Sequence, residues 1–239
     1  MPAGERKPGV KETRHTPLQE AARRAAEMTI RSVEIAGRTL IVHESEETVD
    51  PATGRALTGS WLWDSALHLA EWMAATRPGE ISGSAVLELG AGAGLPGLAA
   101  AALGSRRVVL TDTAPMLPML RRNVEANGLA DRVEVRELRW GSDDQGGFSG
   151  EIGSVDVVLM SDLFFDPDEM AGLGRTVRAV WGETTRGWAA SELRTSTADC
   201  LEALAAEGFR VEELPPERRR LLRSPEDSAL FAVFIVYRA

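Results

Sequence analysis

Ala85-Val-Leu-Glu-Leu-Gly-Ala-Gly-Ala-Gly-Leu-Pro-Gly97 is the stretch from which the rest of the chain can be read. Ala85 to Leu89 is a short apolar run of the kind a buried strand uses. It passes into Gly90, Gly92, Gly94 and Gly97, then into an alanine-rich stretch that predicts a helix at about 95–103. Glycines at such a junction let the backbone turn tightly and approach a ligand closely, because no Cβ stands in the way. A helix that begins there aims its free N–H groups at the same place. The combination reads as a nucleotide cradle at the carboxyl end of a parallel strand.

Which nucleotide is a separate question. Gly92-x-Gly94-x-x-Gly97 fits the dinucleotide fingerprint, a weak signal when it stands alone. Glu88 pulls against it. A carboxylate two residues before the first glycine repels a pyrophosphate and tolerates a cationic amino-acid ligand. The next strand, Arg107 to Thr111, ends in Asp112, where ribose hydroxyls would lie. An Asp at that point also suits NAD, so Asp112 does not separate the two.

Strands at about 85–89, 107–111, 132–137, 155–160 and 186–192 alternate with helices at about 95–103, 115–127, 167–181 and 196–207. That alternation predicts a parallel sheet. The end of the chain differs. Phe209–Glu213 and Ala229–Tyr237 are strands joined by a basic, proline-containing loop without helical periodicity, so they should be antiparallel. Upstream, Leu62, Ala66, Leu69 and Met73 recur at helical spacing and predict a helix at about 61–75. Ser32–Ile35 and Arg38–His43 flank Ala36-Gly37 as a hairpin. Thr16-Pro17-Leu18-Gln19 is a helix start for a short helix to about Met28. The polar residues 1–15 read as a disordered tail, residues 16–58 as a helix-and-hairpin extension, and 59–239 as the main domain.

Composition narrows the function. At 239 residues the chain suits one α/β domain with a sizeable core. A net charge of −9 argues against general affinity for a nucleic-acid backbone and suits a basic, lysine-bearing partner. The single Cys200 excludes an internal disulfide and fits a reducing compartment. No apolar run approaches the ~18 residues of a membrane span. No signal-peptide pattern opens the chain, and its acidic residues are unlike a transit peptide. The expectation is a monomer in the cytoplasm or nucleus. The three His show no metal-ligand spacing.

Six segments carry a family resemblance: Gly59-Ser-Trp-Leu-Trp63-Asp64, Leu87-Glu-Leu-Gly-Ala-Gly-Ala-Gly94, Leu110-Thr-Asp112, Leu138-Arg-Trp140-Gly141, Met160-Ser-Asp162-Leu-Phe-Phe165-Asp166 and Ser191-Glu-Leu-Arg194. In that order they resemble the seven-strand, Rossmann-like class I S-adenosylmethionine-dependent methyltransferases. More narrowly, the chain is similar to the protein-lysine methyltransferases of the methyltransferase-like 21 group, methyltransferase family 16. The resemblance implies a mostly parallel sheet closed by an antiparallel hairpin. It implies S-adenosylmethionine as cofactor, S-adenosylhomocysteine as product and a protein lysine as acceptor. A histidine, an N-terminal amine or a small amine as acceptor, and a catalytically inactive cofactor-binding protein, stay open beside it.

By that resemblance the cofactor meets Trp63, Glu88, Gly90, Ala91, Gly92, Asp112, Trp140 and Ser161. Asp162 sits near the transferable methyl, where a carboxylate can orient an incoming amine. Phe165 stands where many members carry Tyr, which keeps an apolar ring for a lysine stem and removes a hydroxyl. Asp166 before Pro167 reads as a helix cap. Glu192 and Arg194 suit either an ion pair at the rim or substrate contact, and Arg218-Arg219-Arg220 reads as a solvated charge run.

Overall fold

The computed structural model describes residues 28–45, 49, 54, 57–142 and 145–239. The tail at 1–15 and the helix expected to start at Thr16 lie outside the described residues. Two strands open the described chain, β1 (Met28–Ile35) and β2 (Arg38–Ser45), paired antiparallel from Ile35 opposite Arg38 to Met28 opposite Ser45. Ala36 and Gly37 both have positive φ, 50° and 74°. That is the two-residue turn whose twist matches the strands it joins.

The main body follows as α1 (Asp64–Thr76), α2 (Pro78–Ile81), β3 (Ala85–Leu89), α3 (Leu95–Ala102), β4 (Arg107–Asp112) and α4 (Leu117–Ala126). It continues with β5 (Val133–Glu137), α5 (Gln145–Ile152), β6 (Val157–Ser161), α6 (Pro167–Val180), β7 (Arg186–Glu192), α7 (Thr197–Ala206), β8 (Phe209–Glu213), β9 (Glu217–Arg220) and β10 (Ser228–Arg238). The sheet runs β5-β4-β3-β6-β7-β10-β8. The first five are parallel, and β10 lies antiparallel between β7 and β8. β3 and β6 are buried at every residue, as strands covered on both faces must be.

Alternation along those strands divides the core. Val86, Val108, Leu110 and Leu159 face a layer with Leu69 and Met73 of α1, Leu98 of α3 and Leu120 of α4. Leu87, Val109, Val158 and Met160 face the other layer, with Leu173 and Val177 of α6 and Leu204 of α7. The chain reverses its direction of travel across the sheet between β3 and β6. That switch opens a crevice beyond the carboxyl ends of the strands.

Two elements escape a reading of the sequence. α5 forms over Gln145-Gly-Gly-Phe-Ser-Gly, a stretch of poor helix formers. β9 takes up the arginine run and pairs with the start of β10. Arg219 is not simply solvated there, since it pairs with Glu71 and reaches His68 Nδ1 at 2.7 Å. Leu222, just after β9, donates its N–H to Asp64 at 2.8 Å, which ties this loop to the start of α1.

Candidate active site

The glycine loop is held from several sides. Gly90, Gly92 and Gly94 all have positive φ, 56°, 54° and 82°. A Cβ on Gly90 would come 2.8 Å from Leu163 Cδ2 and 3.0 Å from the Trp140 ring. A Cβ on Gly92 would meet Gly59 Cα at 3.2 Å. Ala91 N–H donates to Thr111 O at 2.9 Å and Gly94 N–H to Ala91 O at 2.7 Å. Asp112 closes the loop: its Oδ2 accepts from Gly92 N–H at 2.8 Å and its Oδ1 from Thr113 N–H at 2.7 Å. Burial raises the Asp112 pKa against the pull of those two backbone donors.

The start of α3 does not offer a phosphate cradle. Pro96 has no N–H. Gly97 N–H donates to Glu88 Oε2 at 2.8 Å, and Leu98 N–H is bonded to Gly94 O at 3.0 Å. Glu88 is fully buried beneath this first turn, and it does not line the cavity. The sequence pointed it at the ligand; the structure turns it under α3 instead, because Gly97 leaves room for a carboxylate where any Cβ would lie 2.7 Å from Oε2. Burial pushes the Glu88 pKa up to about 8, the Gly97 bond opposing, and Oε1 has no hydrogen-bond partner.

A single cavity of about 860 Å³ crosses the carboxyl ends of β4, β3, β6 and β7. Gly90, Ala91, Gly92, Asp112, Leu138 and Trp140 line one end of it, with Trp63 and Ser161. Asp162, Phe165, Glu169, Glu192 and Arg194 line the other. Every sequence-predicted site residue except Glu88 is thus brought to one space. Trp63 contributes a ring face rather than a donor, since its Nε1–H is bonded to Thr58 O at 2.6 Å. Trp61 lies 5.4 Å from Trp63 and carries the Arg223 guanidinium over its ring at 5.2 Å.

Asp162 follows β6 with φ at 57°, a left-handed conformation that is uncommon outside glycine and that Asp tolerates better than most residues. Its carboxylate is gripped on both oxygens by Arg194, Nη1 to Oδ1 and Nη2 to Oδ2, each at 2.9 Å. Ser65 Oγ, at the start of α1, donates to the same Oδ1 at 3.0 Å and accepts from Glu192 N–H at 3.1 Å. Arg194 Nη2 also reaches Glu192 Oε2 at 2.9 Å. Burial opposes the charge on Arg194, and the bonds to Asp162 and Glu192 outweigh it and raise its pKa. Asp166 caps α6 by accepting from Asp168 N–H at 3.0 Å.

Sequence reasoning missed Ser65 and Gly59 as parts of the site. Gly59 and Ser65 carry no local signal, since each matters only for what a distant segment brings against it. Among the described residues no group of three or more His, Cys, Asp or Glu is placed to hold a metal ion. No helix among them is long and apolar enough to cross a membrane.

Residues 44–200 match the model of a family described as lysine methyltransferase. A mouse protein-lysine N-methyltransferase, EEF2KMT, is 30% identical over 219 residues, covering 84% of this chain and 63% of that protein. The mouse histone-arginine methyltransferase METTL23 is 36% identical over 125 residues, 50% of this chain and 46% of that protein. The zebrafish protein N-lysine methyltransferase METTL21A is 37% identical over 110 residues, 43% of this chain and 49% of that protein. The chain therefore spans between about half and five-eighths of the length of the curated relatives it matches. Among solved structures, SMU.776, assigned as a methyltransferase and complexed with S-adenosylhomocysteine, superposes with a TM-score of 0.58 at 14% identity, covering 88% of this chain and 56% of that chain. The fold is thus the class I methyltransferase fold.

Proposed function

The chain belongs to the lysine methyltransferase family, and from that premise we propose that it transfers a methyl group from S-adenosylmethionine to a lysine side chain of another protein. One observation carries the choice of cofactor. Glu88 occupies the underside of α3 and takes the Gly97 N–H, while Pro96 supplies none. A pyrophosphate bound at a helix start takes its N–H donors, and both of these are withheld. A ligand with no phosphate needs neither. The residues that remain in the cavity fit a nucleoside joined to an amino acid: Asp112 for ribose hydroxyls, Trp140 and Leu138 for a flat base, and the backbone of Gly90 to Gly92 for close approach. When bound, S-adenosylmethionine supplies a sulfonium-borne methyl group open to in-line attack by an amine nitrogen, and it leaves as S-adenosylhomocysteine.

The far end of the cavity supports a lysine as acceptor. Phe165 presents a ring that is 42% exposed, an apolar wall for a four-carbon stem. Glu192 and Asp162 line the same end of the cavity with their carboxylates. A lysine amine has an ordinary pKa of about 10.4 and must shed its proton before attack. Desolvation against Phe165 favours the neutral form. Arg194 offsets one of the two carboxylate charges, so the ammonium is held less tightly than by two free carboxylates. The cavity fixes distance and angle between the two reactants, which supplies much of the rate of a displacement of this kind. The acidic balance of the chain suits a basic protein partner met by a monomer, and the lone buried Cys200 suits a reducing cytoplasmic or nuclear setting.

The test is to incubate the protein with methyl-labelled cofactor and whole-cell lysate, hydrolyse the labelled band and identify the modified amino acid. Methyl-lysine is expected. Methyl-arginine, the product that the name of METTL23 implies for that relative, would replace lysine with arginine and leave the cofactor reading standing. Calorimetry should register S-adenosylmethionine and S-adenosylhomocysteine but not NAD.

A further inference from the structure

Two carboxylates at the acceptor end share one guanidinium, and they are not equivalent. Asp162 has both oxygens engaged, Oδ1 by Ser65 and Arg194 Nη1 and Oδ2 by Arg194 Nη2. Its side chain is 9% exposed. Glu192 gives only Oε2 to Arg194, and its side chain is 33% exposed. Arg194 does not engage its Oε1, and Glu192 lines the same cavity.

The sequence favours Asp162 as the partner of the acceptor amine. The geometry moves that role. We infer that Glu192 is the carboxylate that receives the acceptor ammonium, an assignment that rests on the reading of this cavity as an amine-methylating site. A bidentate Arg–carboxylate pair is among the strongest and most directional of charged contacts. Asp162 is committed to it and has little surface left to offer. Arg194 is one cation facing two anions, so the group retains one negative charge, and Glu192 carries its accessible part. An ammonium placed against Oε1 completes the charge balance in a space partly shielded from water. Glu169 is the other carboxylate of this rim. It lies in the first turn of α6 and is exposed, where solvent and salt screen its charge.

Sinefungin tests this without the acceptor being known. It carries a primary ammonium where S-adenosylmethionine carries its sulfonium methyl, so its affinity relative to S-adenosylhomocysteine reports the charge at the acceptor position. Both ligands would be titrated by calorimetry into the wild-type chain, Glu192→Gln and Glu169→Gln. Glu192→Gln should weaken sinefungin tenfold or more and leave S-adenosylhomocysteine within twofold, the second value serving as the control for folding. Glu169→Gln should move neither. An unchanged ratio in Glu192→Gln, or a loss of the ratio in Glu169→Gln instead, would overturn the assignment. Labelling of lysate protein by the wild-type chain, run alongside, separates the two levels. Labelling with an unchanged Glu192→Gln ratio rejects Glu192 alone. No labelling despite bound S-adenosylhomocysteine rejects the methyltransferase reading and the role of Glu192 with it.

Discussion

Gly97 donates its backbone N–H to Glu88 Oε2 at 2.8 Å across the first turn of α3, so a fully buried carboxylate lies under the loop that forms one end of the cavity. The pair makes stability depend on pH. Glu88 has its pKa raised from 4.5 to about 8, mainly by burial. Between those values the folded chain keeps a proton that the unfolded chain has lost. Stability then falls as pH rises through that window and is level above it. Each pH unit crossed within the window costs about 1.4 kcal/mol, so the whole loss is on the order of a few kcal/mol. Glu88→Gln retains an oxygen to accept from Gly97 and has no proton to lose. Denaturant unfolding at pH 5 and pH 9 should show a gap between wild type and Glu88→Gln that opens at the higher pH in favour of the variant. Parallel pH profiles for the two proteins would show that Glu88 does not titrate in this range.

Gly92 and Gly59 meet back to back. A Cβ on Gly92 would lie 3.2 Å from Gly59 Cα and 3.3 Å from Gly59 O, and its φ of 54° is unfavourable for any side chain. Gly92→Ala should therefore cost about 1–2 kcal/mol of stability from backbone strain. It should also weaken S-adenosylhomocysteine, because the neighbour it displaces is the cavity wall at 58–59. Thermal unfolding and calorimetry on the same preparation check both halves. Unchanged affinity in a destabilised variant would confine Gly92 to packing.

Asn123 is a buried hub. Its Oδ1 accepts from His43 N–H at 2.7 Å, and its Nδ2 donates to Ala93 O at 2.9 Å and His43 O at 3.2 Å. One side chain thereby ties β2 and α4 to the loop that lines the cavity. Asn123→Leu would leave several buried polar groups unsatisfied, at about 1–3 kcal/mol for each group left without a partner. A stability loss of at least that size is expected by urea unfolding, with weaker S-adenosylhomocysteine binding. A variant as stable as wild type would mean that these groups find other partners.

The sheet was legible because its signals are local. Ala85–Leu89 and Arg186–Glu192 fall where apolar runs and flanking glycines put them, and the seven principal strands follow in the expected order. β9 was not legible. Three successive arginines have no apolar alternation; the strand pairs with the start of β10, and Arg219 finds Glu71 and His68 across the fold. The site divides in the same way. Asp112, Trp140 and Asp162 sit at strand ends, which the pattern of elements fixes. Glu88 has the same local credentials, yet the absence of a Cβ on Gly97 lets it turn inward. The grip of Arg194 on Asp162 spans 32 residues, and that of Ser65 spans 97. Spacing carries no trace of such pairings.

Phe165 separates folding from acceptor handling. It is the large apolar side chain of the cavity that remains most exposed, at 42%, so its removal costs little core. Substitutions at exposed positions away from special contacts usually stay within about 0.5 kcal/mol. Phe165→Ala should unfold near the wild-type midpoint and bind S-adenosylhomocysteine unchanged. It should lose tenfold or more in kcat/KM for the methylated protein, since the stem of the acceptor loses its wall. Phe165→Tyr adds one hydroxyl beside solvent and should fold normally. That hydroxyl can hold the amine or a water at the acceptor end and so change how many methyl groups are added. Mass spectrometry of the product, with the rate measured under single turnover, reads both variants. A Phe165→Ala protein that methylates at the wild-type rate would remove the ring from acceptor binding and place the apolar wall elsewhere in the cavity, with Trp61 the next candidate.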